Sequence, residues 1–164
     1  MHSAPVLESE RLVLRRHCAD DFSNSAAMWG DSDVVRYISG TPSGRADSWS
    51  RLLRYIGHWQ ALGFGYWVVR GKSTDRFLGE VGFADYKREM EPSIEGIPEA
   101  GWVFDTGAQG KGYAEEAVRC MLDWADGSLD SEITVCIIDP EHRASVKLAE
   151  KVGFKATVTS HYMD

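Results

Sequence analysis

Gly110 and Gly112 are the first residues whose type and spacing bear on chemistry. They belong to the run Asp105-Thr106-Gly107-Ala108-Gln109-Gly110-Lys111-Gly112. It follows an apolar stretch, Ala100 to Phe104, and precedes a segment carrying Ala114, Ala117, Val118, Met121, Leu122 and Ala125 at helical spacing. The order is strand, glycine-bearing loop, helix. The first amides of a helix have no intrahelical acceptor and lie at the positive end of its dipole, so a loop free of bulk there can hold a phosphate. Glycine lets the backbone approach such an anion closely. Two common phosphate loops are excluded on spacing. No strand is followed by GxxxxGK[ST], and the GxG of this loop continues as Tyr113-Ala114-Glu115, which breaks GxGxxG.

The elements that must position this loop can be read in outline. A chain of 164 residues, 43% hydrophobic and 26% charged, can bury a core as one domain spanning residues 1–164. Glu8 to Arg16 alternates like a half-buried strand, and Asp20-Asp21 and Asp31-Ser32-Asp33 offer caps for two short helices. A longer helix follows, with Trp49, Leu52, Leu53, Ile56 and Trp59 on one face and Gly63 as its stop. Phe64 to Arg70 and Phe77 to Tyr86 flank a turn-forming Gly71-Lys72-Ser73-Thr74-Asp75 and predict a hairpin; Asp85 to Pro98 reads as an exposed loop. Glu132 to Ile138 is apolar at nearly every position, as for a strand covered on both faces. A last helix with Ser145, Leu148, Ala149 and Val152 on its apolar face ends at Gly153, and Phe154 to Ser160 begins another strand.

Composition narrows the partners. Eighteen basic against 25 acidic residues give a net charge of −7 without a basic stripe. A nucleic-acid backbone is therefore not the expected partner. The acidic balance suits a cationic acceptor and, more generally, solubility. Cys18, Cys120 and Cys136 are odd in number and form no CxxC, so they read as reduced packing residues of a cytoplasmic protein. The five histidines show no metal-ligand spacing, no metal is expected, and no apolar run approaches the ~20 residues that span a bilayer.

Gln109-x-x-Gly112-x-Ala114 resembles the [Q/R]xxGx[G/A] acetyl-coenzyme A loop of the Gcn5-related N-acetyltransferases (GNAT), and the run through Ala117 resembles the branch of the ribosomal-protein alanine acetyltransferases. Two further segments agree in order and spacing. RLVLRR is similar to the family's opening strand, and Asp139-Pro140-Glu141-His142-Arg143-Ala144-Ser145 with Glu150-Lys151-Val152-Gly153-Phe154 is similar to PxNxASxxxxEKxGF. The resemblance implies an α+β acyl-coenzyme A N-acyltransferase fold: a mostly antiparallel central sheet splayed around the cofactor, with helices on both faces. It implies direct transfer of acetyl from acetyl-coenzyme A to a primary amine of a small molecule or a protein N-terminus, by a monomer or homodimer.

The resemblance also assigns residues. Backbone of a bulged central strand at Trp102, Val103 and Phe104 would lie beside the thioester. Gln109, Gly110, Lys111, Gly112, Tyr113 and Ala114 would surround the pyrophosphate. Glu99 is the first candidate for general base, directly or through water, and Glu80 the second. Ser145 would hydrogen-bond the sulfur or a nearby water. Two departures stand out: His142 replaces an asparagine that contacts the pantetheine arm, and Ala149 replaces a tyrosine acid. They keep open a catalytically silent acyl-coenzyme A sensor; a purely structural dimerisation domain is a third reading. Finally, the family closes with two antiparallel strands, and Phe154 to Asp164 accommodates one. A further short strand or a second chain is expected to cover the sheet edge.

Overall fold

The computed structural model describes residues 3–163, the last two by backbone alone. The opening strand is a tight hairpin: β1 (Leu7–Glu8) and β2 (Leu12–Arg15) pair antiparallel, with Leu7 opposite Leu14. The Asp21 side chain does not cap the helix that follows it but closes a capping box on the preceding 3-10 turn, Ala19–Asp21. Its carboxylate is buried and accepts both Arg15 terminal nitrogens and the Cys18 amide. Helix α1 is Phe22–Trp29, and α2 is one turn, Ser32–Val35, capped as expected by Asp31 accepting from the Asp33 amide.

Helix α3 (Arg45–Leu62) stops at Gly63, whose φ of 79° is the left-handed cap that glycine adopts freely. Its buried stripe is Ser48, Leu52, Tyr55, His58 and Trp59, while Trp49, Leu53 and Ile56 point outward. The expected face was therefore rotated. Aromatic side chains took the inward positions because they find partners there: Trp59 Nε1 donates to Tyr66 O, and the Tyr55 ring stacks on Tyr66 at 4.3 Å.

The hairpin β3 (Tyr66–Gly71) and β4 (Phe77–Ala84) forms as read. The main sheet has order β1-β2-β3-β4-β6, antiparallel throughout, with β6 spanning Glu99–Phe104. Helix α4 (Tyr113–Ser128) covers one face through Ala117, Val118, Met121 and Ala125, against Leu12, Leu14, Trp67, Val81 and Phe83. Trp59, Trp67 and Trp124 meet edge-on at 4.8–5.4 Å, each such pair contributing about 1 kcal/mol beyond its burial. On the other face, Met28, Trp29, Val34 and Val35 pack on Val68, Phe77 and Val103. Helices thus flank both faces of the antiparallel sheet.

Two expected strands are not formed. Residues 132–138 are extended but make one parallel bridge, Glu99 to Val135, and are half-buried or exposed along their length. Residues 154–160 form no strand and are largely exposed. The small second sheet instead pairs β5 (Glu89–Met90), inside the expected loop, with β7 (Tyr162–Met163). Helix α5 (Arg143–Lys151) buries Ser145 and Ala149 as expected. Among the described residues, the edge of 132–138 carries no covering strand.

Gly82 sits where β4 crosses Tyr66, and a Cβ there would overlap the backbone of Gly65 and Tyr66. Gly57, inside α3, faces open space. Gly82→Ala is expected to lower stability by about 1–3 kcal/mol and Gly57→Ala to raise it by about 0.5–1 kcal/mol. Urea midpoints check both; an unchanged Gly82→Ala midpoint would contradict this packing.

Candidate active site

The amides of β6 alternate sides, and the ladder fixes which go where. Asp105 N–H donates to Leu78 O of the β4 side at 2.9 Å, whereas Ala100 N–H donates to Val135 O at 2.7 Å. Trp102 and Phe104 share the parity of Ala100, so their N–H groups face away from β4; the N–H of Val103 faces the strand bearing Glu80. The ladder to residues 132–138 ends at the Ala100–Val135 bond, with Val135 N–H on Pro98 O at 3.1 Å as its other bond. Among the described residues, none pairs with this side of β6 beyond Ala100, which leaves an open edge. The implied bulge is absent: β6 stays in register with β4 from Glu99–Ala84 to Phe104–Gly79, and the irregularity lies between Val69 and Arg70. Of the three backbone positions expected at the site, Trp102 and Phe104 present donors to the opening and Val103 does not.

The glycine loop follows directly. Gln109 Nε2 donates to Phe104 O at 3.1 Å, tying the loop to the end of β6, and Lys111 Nζ donates to Gly107 O. Gly110 and Gly112 have φ of 77° and 80°, in the region that penalises a side chain. A Cβ at Gly110 would meet nothing within 4 Å, so that backbone is open to approach. Gly112 caps α4 with no side-chain hydrogen bond, leaving the first amides of the helix uncapped at Tyr113 and Ala114. A donor that the sequence did not reveal is Arg11, from the β1–β2 turn. Its guanidinium lies 4.5 Å over the Tyr113 ring, donates to Lys111 O, and is held by Glu116 at 2.7 Å.

Ser145 and His142 are brought to the same opening by the start of α5. Trp102 Nε1–H donates to Ser145 Oγ at 3.3 Å, and the hydroxyl lies 3.3 Å from His142 Nε2. The His142 ring stacks on Tyr37 at 5.1 Å, and burial lowers its pKa against the opposing pull of Asp139. A neutral ring leaves Nε2 able to accept from the serine. The substitution of histidine for the expected asparagine thus adds a proton acceptor beside Ser145.

The two carboxylates read as candidate bases differ sharply. Glu80 is fully buried and accepts from His17 Nε2 at 2.7 Å, Trp29 Nε1 at 2.7 Å and Ser25 Oγ at 2.9 Å. Burial pushes its carboxyl up, but the bonds from His17, Trp29 and Ser25 outweigh it and hold the pKa below its ordinary 4.5. Glu80 has no exposed surface and is held by three separate side chains between β4 and α1, so it is a clamp closed to an acceptor amine, whereas Glu99 is held by one arginine at the start of β6. Glu99 lies where β6 and residues 132–138 touch; it is 7% exposed, and Arg88 donates to both of its oxygens at 2.8 and 3.2 Å. The Cys136 thiol beside it is pushed to about 11 by burial and the Glu99 charge, which marks it as a packing group. Among the described residues no cluster of His, Cys, Asp and Glu forms a metal-binding group.

A family model for the acetyltransferase (GNAT) domain matches residues 11–155. The chain belongs to the GNAT family. An uncharacterized N-acetyltransferase of Bacillus licheniformis, p20, is 29% identical over 92% of this GNAT chain and 82% of its own length. A solved Bordetella pertussis protein assigned to the same family is 27% identical, covers 97% of each chain and superposes with a TM-score of 0.85. RimL, a ribosomal L7/L12 α-N-protein acetyltransferase solved with coenzyme A, shares the fold at 14% identity, with a TM-score of 0.74 over 92% of this chain and 84% of its own. No helix among the described residues of this GNAT protein is long and apolar enough to cross a membrane.

The buried Glu80 clamp predicts a pH signature. Its folded pKa is depressed, so its stabilising contribution is present above the unfolded value and is lost as pH falls from about 4.5. Glu80→Gln is expected to cost on the order of 3 kcal/mol near pH 7. The gap to wild type should narrow between about pH 5 and 3, as measured by chemical denaturation across pH. A gap constant over that range would contradict the clamp.

Proposed function

We propose that this single GNAT domain, spanning residues 1–164, transfers the acetyl group of acetyl-coenzyme A to a primary amine, either of a small molecule or of a protein N-terminus. The observation that carries this reading is the meeting of three features at one opening: the unpaired β6 edge, the uncapped glycine-lined start of α4, and the Ser145–His142 pair. The residues fit a coenzyme A group. The Gly110–Ala114 backbone and Arg11 supply donors suited to a pyrophosphate, and the RimL complex with coenzyme A supports the same cofactor class.

Acetyl-coenzyme A supplies an activated thioester when bound. In the transfer the amine nitrogen forms a C–N bond to the acetyl carbon, the C–S bond breaks, and one amine proton ends on the sulfur. Trp102 and Phe104 amides donate to the carbonyl oxygen as it gains charge. Ser145 hydrogen-bonds the sulfur, and His142 takes up and returns a proton through the serine hydroxyl, a role left vacant by Ala149. Glu99, steadied by Arg88, accepts the ammonium proton through a water so that the attacking amine is neutral.

Calorimetry with acetyl-coenzyme A and thiol release against a broad amine panel test the proposal. Binding with turnover on at least one amine is expected; binding without turnover on any would favour the silent sensor, and no binding would overturn the reading. Within an active protein, Glu99→Gln is expected to lower kcat by about 100-fold or more with acetyl-coenzyme A affinity unchanged and the basic limb of the pH–rate profile altered. Wild-type turnover in that variant would remove Glu99 from the chemistry.

A further inference from the structure

Outside the opening, a cleft of about 410 Å³ lies between the turn after α2 and one face of α3. Its lining includes Ser39, Thr41, Ser43, Ser50, Arg51 and Arg54, together with a single carboxylate, Asp47. Asp47, Arg51 and Arg54 recur at helical spacing, so one stripe of α3 forms a wall.

We propose that this cleft holds a carboxylate on the acceptor, so that the substrate is an amine carrying a carboxyl group, as an amino acid does. The inference rests on the acetyl-transfer reading and names the substrate class of that same site. Its first support is the state of Arg51. Its guanidinium lies 3.8 Å over the Trp29 ring and Nη2 donates to Ser43 Oγ at 3.1 Å, yet Nη1 is buried with no hydrogen-bond partner. That nitrogen is enclosed and out of reach of an anion in the cleft, so what draws the anion is the positive charge that Arg51 and Arg54 bring to the lining. Arg54 lies 4.8 Å over the Tyr86 ring, and neither guanidinium has a carboxylate within ion-pair distance among the described residues.

The second support is continuity with the reacting end. The Tyr86 ring also carries the Arg88 guanidinium, at 4.9 Å, and Arg88 grips Glu99. A row Arg54–Tyr86–Arg88–Glu99 therefore joins the cleft to the proposed base. The third is the fate of the acidic residues that would attract a polycation. Asp85 and Glu95 are both paired to Lys87, and Glu99 is paired to Arg88. The cleft itself has two guanidiniums against one carboxylate, a balance that matches a monoanion better than a phosphate dianion.

The test uses the full chain with acetyl-coenzyme A. Thiol release is measured for the common L-amino acids, their carboxamides, spermidine and O-phosphoethanolamine, with cofactor binding followed separately by calorimetry. A carboxylate-bearing amine is expected to exceed its carboxamide by about 10- to 100-fold in kcat/KM, the worth of one charge-assisted bond. Arg54→Gln, an exposed position, is expected to raise KM for that amine by the same factor, to shrink the preference for the carboxylate over its carboxamide, and to leave acetyl-coenzyme A affinity unchanged. Arg51→Gln should act in the same direction. Equal or better turnover of carboxamides, spermidine or the phosphorylated amine overturns this inference while leaving acetyl transfer intact. Where the cofactor binds and no amine turns over, calorimetry of the L-amino acids on the coenzyme A-loaded protein decides, and absence of binding overturns it. Failure to bind acetyl-coenzyme A sinks the acetyl-transfer reading, and this inference falls with it.

Discussion

The site depends on where one β-ladder stops. β6 is fully paired to β4, but among the described residues its other side has partners as far as Ala100, and the next amides on that side, those of Trp102 and Phe104, face an opening. A backbone donor removed from both ladder and solvent is unfavourable, so an open edge inside a fold is stable where it meets water or a ligand. The glycine loop begins at the end of the same strand, pinned by Gln109 to Phe104 O, and α5 delivers Ser145 to the Trp102 ring. The open edge, the glycine loop and Ser145 therefore share one strand as their reference.

On the far face the constraint is electrostatic. Glu80 is ringed by donors from the end of β2 and from α1, which makes the packing of α1 on the sheet conditional on a buried charge. Such a charge is stabilising only while every partner is present. The arrangement fixes α1 and the α2 turn. It thereby fixes Tyr37 against His142 and, through Asp31 accepting from Thr106, the span leading to the glycine loop.

The sequence was most legible where local rules are strong. Glycine spacing, helical periodicity and the Gly63 stop located the loop, α4 and the end of α3, because caps and turns depend on neighbours within a few residues. It was least legible where distance decides. Alternation alone did not tell whether Glu80 faced solvent, since its three donors lie 51 to 63 positions away. Arg88 lies in a polar stretch that reads as an exposed loop, and no local pattern shows that it pairs with Glu99. The β-branched run 132–138 resembled a covered strand, yet a strand needs a partner ladder as well as composition. The face of α3 was misjudged because Tyr55 and His58 count as half-polar in a pattern, although their rings lie inward.

Arg11 has a further consequence, for how distant parts of the chain are tied together. Glu116, in the first turn of α4, accepts from Ser9 and from the backbone and side chain of Arg11, across more than 100 positions of chain. The Arg11 guanidinium in turn lies on Tyr113 and on the carbonyl of Lys111. Closing so long a loop carries an entropic cost that the packing of the intervening chain must offset. The geometry around the glycine loop therefore depends on two segments far apart in the chain. An excised peptide containing the loop and α4 would lack the Arg11 guanidinium, and any ligand that engaged Arg11 together with the loop would tie the first and last thirds of the chain to one another.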